Sequence, residues 1–266
     1  MSTRKDAVAG QFYPANKEEI EKMLHHYNDI VDEAIKDKTL LQLKPRAIIV
    51  PHAGYVYSAF TANIAFRLLH NTTAKRVIVI GPSHRVYIKG ISVAAFDEYE
   101  TPLGSLKIDK ALSNELMEKF GLHFQEDAHA EHSTEVQMPF IKEYMQDPSV
   151  VELVYGEEDP HHLAKVIEYL LKDEENVVVI STDLSHYYSL EEAKKRDSIC
   201  LEAIATLTTQ ELHQGCEACG IIGVEALLIA AKQLQLKPTV LDYRTSADAS
   251  GDASRVVGYA SAIFTK

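Results

Sequence analysis

The chain of 266 residues lacks several features that would place it in a common class. Its 3 cysteines are few and odd in number, which does not fit a disulfide-rich secreted protein. The longest weakly charged apolar stretch, residues 218–231, contains Glu225 and is too short for a membrane span. The first residues lack the apolar core of a signal peptide. We therefore expect a cytoplasmic protein that does not insert into a membrane.

Positive charge is also scarce. The chain has 27 lysines and arginines against 39 aspartates and glutamates, a formal net charge of −12, and its basic residues form no cluster. Because nucleic-acid binding needs a basic face, we expect no nucleic-acid partner. No Pro-, Gly- or Ser-rich stretch and no internal repeat divides the chain. Since 46% of the residues are hydrophobic, a single domain spanning residues 1–266 can bury a sizeable core.

Three short apolar runs are each followed closely by a histidine. Residues 47–50 precede His52, residues 77–80 precede His84, and residues 177–180 precede His186. Runs rich in β-branched residues without polar alternation are typical of strands buried on both faces of a parallel sheet. Because parallel strands end at one edge, we expect the three imidazoles to converge there. Neutral imidazole is a common metal ligand and a general base near pH 7.

The segments between these runs have helical apolar spacing, so strands alternate with helices. The pattern predicts an α/β fold with a central, mostly parallel or mixed sheet flanked by helices. Asp109 is predicted to cap a helix that reaches about residue 120. The predicted helices are residues 17–35, 55–69, 110–120, 161–171, 190–207 and 221–234, and another helix, or a turn leading to one, is predicted to begin at residues 133–136. The predicted strands are residues 45–50, 76–80, 150–154, 177–180, 239–243 and 256–264, with an antiparallel excursion over residues 91–108.

Each candidate site residue also has an ordinary structural interpretation. His52 and His84 could be loop histidines that hydrogen-bond the backbone, although their shared position after strands favours a site. Asp183 could orient His186 as a base or metal ligand, or it could cap the next helix. His132 lies between Glu131 and a second acid, an arrangement equally typical of a solvated polar loop.

Cys219 has two functional interpretations and one structural one. At a helix N-terminus the helix dipole would lower the pKa of its thiol and favour a metal-binding thiolate. Alternatively, the side chain packs as a small buried hydrophobe. A rival arrangement is the local array His213-x-x-Cys216-x-x-Cys219, a weak signal for a zinc or redox site because no second cysteine pair accompanies it.

Five ordered motifs together resemble the Memo family, and the resemblance runs from residues 10–14 to residues 257–260. The motifs are Pro51-His52-Ala53-Gly54-Tyr55, Gly81-Pro82-Ser83-His84, Glu131-His132-Ser133-x-Glu135-x-Gln137-x-Pro139, Asp183-x-x-His186 and Cys219-Gly220.

The resemblance implies a fold similar to class III extradiol dioxygenases, with one metal held by His52, His84 and Cys219. A thiolate in place of the carboxylate used by those enzymes suits copper or zinc at least as well as iron. By position, His186 with Asp183 would handle protons, and His132 would line the pocket. Animal members of the family are linked to cell motility and phosphotyrosine signalling, and prokaryotic members occur with a radical-SAM partner.

Three functional hypotheses follow. The leading one is a metalloprotein that performs redox, dioxygenase-like chemistry on a small, unidentified substrate at an iron or copper site. The second is a degenerate pocket that binds a peptide or a protein without catalysis, motivated by the cysteine. The third, a zinc-dependent hydrolase, depends only on the ability of bound zinc to acidify water.

Overall fold

The valine- and isoleucine-rich runs form the middle of a mixed sheet. A computed structural model describes residues 2–266, and in this range the sheet has 11 strands. The strands are β1 (Thr3–Arg4), β2 (Ala47–Val50), β3 (Arg76–Pro82), β4 (Ile91–Val93), β5 (Glu98–Tyr99), β6 (Leu106–Ile108), β7 (Ser149–Tyr155), β8 (Asn176–Ser181), β9 (His186–Tyr188), β10 (Lys237–Thr245) and β11 (Val256–Thr265).

Strand order explains why the central runs show no polar alternation. The order is β1-β5-β6-β7-β3-β8-β2-β11-β10, with β4 paired to β7 and β9 paired to β11. Strands β6, β7, β3, β8 and β2 run parallel, whereas β11 and β10 are antiparallel to their neighbours. The parallel strands β3, β8 and β2 are covered on both faces, so every residue in their centres is buried.

Helices form a layer on each side of the sheet. They are α1 (Lys17–Ala34), α2 (Tyr55–Phe66), α3 (Lys110–Phe120), α4 (His132–Glu135), α5 (Met138–Tyr144), α6 (Pro160–Leu171), α7 (Leu190–Thr206), α8 (Thr209–Leu212), α9 (Ile221–Gln233) and α10 (Ala247–Ser250), with short 3₁₀ turns at Lys38–Gln42, Arg67–Asn71 and Glu126–His129. Ile78 and Ile80 pack into one apolar cluster with α6 and α9, while Val77 and Val79 pack into another with α1 and α2. The predicted single α/β domain is confirmed.

Helix caps decide one of the open alternatives. Asp109 accepts a hydrogen bond from the Leu112 amide at 3.0 Å and caps α3 as predicted. Helix α7 is capped by Ser189, which accepts from the Glu192 amide. The interpretation of Asp183 as the cap of that helix is therefore wrong, because β9 lies between Asp183 and α7.

The elements that the sequence pattern missed are all very short. Strands β1 and β9 have two and three residues, and helices α8 and α10 have four residues each. Such segments span little more than one period of an amphipathic pattern, so only their pairing partners, β5 and β11, define the two strands.

Cys200 on α7 forms a disulfide bond with Cys216 in the segment before α9. The array of His213, Cys216 and Cys219 as a local metal or redox site is therefore wrong. His213 is largely exposed, and its Nε2 lies 3.1 Å from Glu225 Oε1. The bond also means that the cysteine count no longer supports a reducing compartment.

Across residues 2–266, none of the helices combines the length and apolar character that crossing a membrane requires.

Candidate metal centre

Three histidines from separate segments meet at the carboxyl edge of the parallel strands. His52 and His84 each lie two residues beyond a strand, and His132 is the first residue of α4. One ring nitrogen from each lies within 4.8 Å of the corresponding atoms of the other two. The ring centroids are 5.1 Å apart for His52 and His84, 5.4 Å for His52 and His132, and 4.6 Å for His84 and His132. We call these three residues the histidine cluster.

A close contact between α4 and the end of β3 brings His132 to the cluster. A Cβ atom on Gly81 would lie 2.6 Å from Ser133 Oγ, so this position has no room for a side chain. The Ser133 hydroxyl donates to the Pro82 carbonyl oxygen at 2.7 Å. The glycine thus permits α4 to pack on the strand end that leads to His84.

Glu131 binds two of the three histidines. Its carboxylate accepts from the His84 amide at 2.7 Å and from His84 Nδ1 at 3.2 Å. Its Oε1 also lies 2.8 Å from His132 Nδ1, at an angle unsuited to a hydrogen bond. Burial by itself raises the pKa of Glu131, but the contacts with His132 and His84 and the backbone amides hold that pKa well below its usual range. The carboxylate contacts Nδ1 of both rings, which leaves Nε2 of each ring available to bind a metal ion.

His52 is the most buried member of the cluster, at 2% exposure. Its Nδ1 lies 2.9 Å from Ser181 Oγ, and its Nε2 lies 3.3 Å from Cys219 Sγ. Burial, followed by the nearby His84 and His132, lowers the pKa of His52 well below its ordinary value. The ring is therefore neutral near pH 7, which is the form that binds a metal.

Cys219 lies beside His52, through a tight turn against β8, but it is not among the three side chains whose ligand atoms all lie within 4.8 Å of one another. A Cβ atom on Gly220 would lie 2.7 Å from Thr182 Cβ and 2.8 Å from the Ser181 carbonyl oxygen. Burial, together with the negative charge of Asp183, raises the pKa of the Cys219 thiol to about 12. The expectation that the start of α9 lowers this pKa is thus wrong, because burial dominates over the helix dipole. A protonated buried thiol is a poor nucleophile, but a metal can displace its proton.

Asp183 and His186 lie beside the cluster rather than within it. Asp183 Oδ1 accepts from the His52 amide at 2.7 Å, so this carboxylate fixes the main chain of His52 instead of binding the His186 ring. Burial raises the pKa of Asp183, and the hydrogen bond from the His52 amide, followed by the nearby His186 and His132, opposes that increase. His186 begins β9, is partly exposed and is close enough to influence the pKa of both Asp183 and His52.

The donor set fits one metal ion. Two nitrogen ligands of a single ion lie at most about 4.2 Å apart, twice a bond length of about 2.1 Å. The separations within 4.8 Å therefore need only small side-chain rotations. The 3.3 Å between Cys219 Sγ and His52 Nε2 already suits two ligands of one ion. Imidazole with thiolate is a set that copper, zinc and iron all accept.

Sequence reasoning missed the residues that support the cluster. Gln137 Nε2 donates to the Pro51 carbonyl oxygen and to Ser181 Oγ, each at 2.9 Å. Gln137 belongs to the motif that starts at Glu131, and Ser181 ends a predicted strand. Nothing in their spacing along the chain indicates that they meet at His52.

The sequence is similar to known proteins over nearly its whole length. The family profile of Memo-like proteins matches residues 4–263. A MEMO1 family protein of Aquifex aeolicus is 37% identical over 276 residues, covering 99% of this chain and 100% of the relative. A MEMO1 family protein of Archaeoglobus fulgidus is 34% identical, covering 98% and 99%. One from Thermoplasma volcanium is 30% identical, covering 98% and 97%. With matches that span nearly its whole length, this chain belongs to the Memo family.

Proposed function

We propose that this protein binds one redox-active metal ion, iron or copper, and carries out dioxygenase-like chemistry on a small substrate. The observation that supports this proposal is the convergence of three imidazoles within 4.8 Å, with a buried thiol 3.3 Å from one of them. Zinc fits the same donors, and the soft thiolate favours copper or zinc over the harder metals.

In this proposal His52, His84 and Cys219 hold the ion. We add His132 to the ligand set, because its distance to the other two rings places it among the donors, whereas the sequence assigns it to the pocket lining. Glu131 orients His84 and His132, and Asp183 fixes the main chain of His52. When bound, the metal would supply Lewis acidity and, for iron or copper, one-electron chemistry.

Proton handling falls to His186 and Asp183. His186 is partly exposed, so it can exchange protons with solvent at the edge of the site. Asp183 is buried, and its raised pKa makes it better able to hold a proton than an exposed carboxyl group. A buried base beside an accessible one is suited to passing a proton between substrate and water.

Metal analysis of protein purified without added metal tests the first half of this proposal. We expect about one ion per chain in the wild-type protein and little in the triple variant His52→Ala, His84→Ala, Cys219→Ala, since one ion needs this set of donors. A matched control replaces His161 and His213, which are 71% and 61% exposed and lie outside the cluster. Equal metal content in the wild type and the triple variant would refute the proposal.

Oxygen consumption tests the second half. Metal-dependent oxygen uptake with a catechol-like substrate, lost in the triple variant, is the expected result. Peptide binding that persists after chelation, with no oxygen uptake, would instead support a binding module. Hydrolysis of generic esters that rises with added zinc would support the hydrolase hypothesis.

A further inference from the structure

We propose that Ser181, held in place by Gln137, is a positioning residue that fixes the tautomer of His52. It holds a proton on Nδ1 and so keeps the lone pair of Nε2 directed towards Cys219. The importance of this arrangement for metal binding depends on the proposed function, but the tautomer itself can be measured in the metal-free protein.

The Ser181 hydroxyl proton has a defined position. Ser181 Oγ lies 2.5 Å from the main-chain carbonyl oxygen of Ser133. A carbonyl oxygen only accepts, and a hydroxyl has one proton, so Ser181 donates that proton to Ser133. The remaining contacts of Ser181 Oγ must therefore come from donors.

Gln137 is one of these donors, and its orientation is also determined. Its side-chain nitrogen lies 2.9 Å from the Pro51 carbonyl oxygen and 2.9 Å from Ser181 Oγ. Exchanging the amide oxygen and nitrogen would place two acceptors against each other at Pro51, so the NH₂ group must face this way. Both amide protons are used. Gln137 Oε1 is buried without a partner in the described part of the chain, which means that the donor contacts determine this side chain's orientation.

His52 must supply the other hydrogen bond. Ser181 Oγ donates its only proton to the Ser133 carbonyl oxygen and already accepts one hydrogen bond from Gln137 Nε2. Its contact with His52 Nδ1, 2.9 Å away, must therefore be a hydrogen bond that the histidine donates. A neutral imidazole carries one proton, so with that proton on Nδ1 the lone pair of Nε2 lies 3.3 Å from Cys219 Sγ. If the ring adopted the other tautomer, Nε2 would present a proton to an incoming ion. Only molecules with His52 protonated at Nδ1 bind a metal ion without a change of tautomer. The apparent metal affinity therefore falls in proportion to the fraction of molecules in that tautomer.

The same contacts join the segments that form the site. Pro51 follows β2, Ser181 ends β8, Ser133 lies in α4, and Gln137 lies between α4 and α5. All three polar side chains are fully buried. The network therefore couples the positions of two strand ends and α4 to the proton on one histidine.

Nitrogen NMR of the metal-free protein labelled with ¹⁵N-histidine tests the inference directly, because ring nitrogen shifts distinguish the two tautomers. We expect His52 in the wild type to be protonated at Nδ1. In Ser181→Ala, and in Ser181→Gly if the first variant does not fold, we expect the Nε2-protonated form to appear. Gln137→Met keeps Ser181 Oγ as the acceptor and should leave the proton on Nδ1. The matched control is Ser185→Ala, which removes another fully buried hydroxyl that has no hydrogen-bond partner among residues 2–266.

Copper or zinc affinity, measured by competition with a chelator, provides a second readout. Loss of an outer hydrogen-bond partner of a ligating histidine lowers affinity about tenfold to a hundredfold, and we expect this range for Ser181→Ala. A wild-type His52 protonated at Nε2, or an unchanged tautomer in the folded Ser181 variant, would overturn the inference. A tautomer shift in a protein that binds no metal would support the inference while refuting the proposed function.

Discussion

Two histidines three residues apart in the chain have opposite environments. Both ring nitrogens of His129 have protein partners, with Nδ1 2.9 Å from Glu152 Oε2 and Nε2 2.9 Å from Ser92 Oγ. His132 is 16% exposed, and its contact with protein oxygen uses Nδ1 of the ring. The comparison shows that a buried histidine with two protein partners is structural, whereas one with a single partner and other imidazoles nearby is a candidate ligand.

Two glutamates at the two ends of α4, Glu131 and Glu135, repeat this contrast. Glu131 faces the histidine cluster. Glu135, four residues later, accepts from Arg4 Nη1 at 2.5 Å, the Ala7 and Val8 amides, and the Tyr13 hydroxyl. Arg4 pairs with Glu135, and His129 pairs with Glu152 nearby. We call these four residues the buried ion-pair network. Its charges are compensated by protein, and it holds the N-terminal segment in place.

Breaking the buried ion-pair network should have the largest effect on stability. Arg4→Met leaves Glu135 and Glu152 without this compensating charge, and we expect it to lower the free energy of unfolding by about 3–5 kcal/mol, measured by urea denaturation. Lys5→Met is the matched control. Lys5 is 73% exposed and paired with Glu100, so little change is expected. Equal stability of the two variants would mean that the network does not contribute as its burial indicates.

Replacing His132 and His129 by alanine, one at a time, tests the contrast between these two histidines. His132→Ala should weaken copper or zinc binding about a hundredfold, close to 2.7 kcal/mol, because it removes a donor from the cluster. His129→Ala should leave the affinity of the folded protein nearly unchanged while lowering its stability, since Glu152 loses its partner. Chelator competition and denaturation on both variants measure these effects. If His129→Ala weakened metal binding and His132→Ala did not, His129 rather than His132 would be the ligand.

The dependence of stability on acid pH should show that Glu152 is ionised in the buried ion-pair network. Burial raises the pKa of Glu152, but the positive charges of His129 and Arg4 and their contacts lower it overall. A carboxyl group whose pKa is lower in the folded state stabilises the protein above its unfolded pKa of about 4.3. That stabilisation is lost as the pH falls through the folded-state pKa.

Glu152→Gln should therefore reduce the acid dependence of stability. Removing one titrating group lowers the slope by up to one proton, about 1.4 kcal/mol per pH unit below pH 4.3. Glu131 also has a lowered pKa, so the difference between the wild type and this variant, rather than either curve alone, isolates Glu152. Parallel stability curves from pH 5 to pH 3 would show that Glu152 does not titrate differently on unfolding.

The sequence predicts the strands and the edge of the sheet better than the individual ligands. The β-branched runs define β2, β3 and β8, and their common direction brings His52 and His84 together. The resemblance directs attention to Cys219, which lies beside them. Apart from the resemblance, which selects His132, the sequence does not separate His129 from His132, because both lie in one polar stretch and their roles depend on Ser92, Glu152 and the ends of other strands. The disulfide partner of Cys216 is likewise 16 residues away and is defined only by packing.

The smallest predicted effect concerns Glu131, the carboxylate that contacts both His84 and His132. Glu131→Gln keeps the shape of the side chain but replaces one acceptor with a donor that cannot receive a histidine proton. We expect metal affinity to fall about tenfold, the lower end of the range for an outer partner, because His52 and Cys219 keep their own contacts. Glu126→Gln makes the same change at an exposed position just upstream and should leave affinity unchanged. If both variants bound metal as tightly as the wild type, Glu131 would, like Glu135, serve only the local structure. The contrast between the two ends of α4 would then not extend to function.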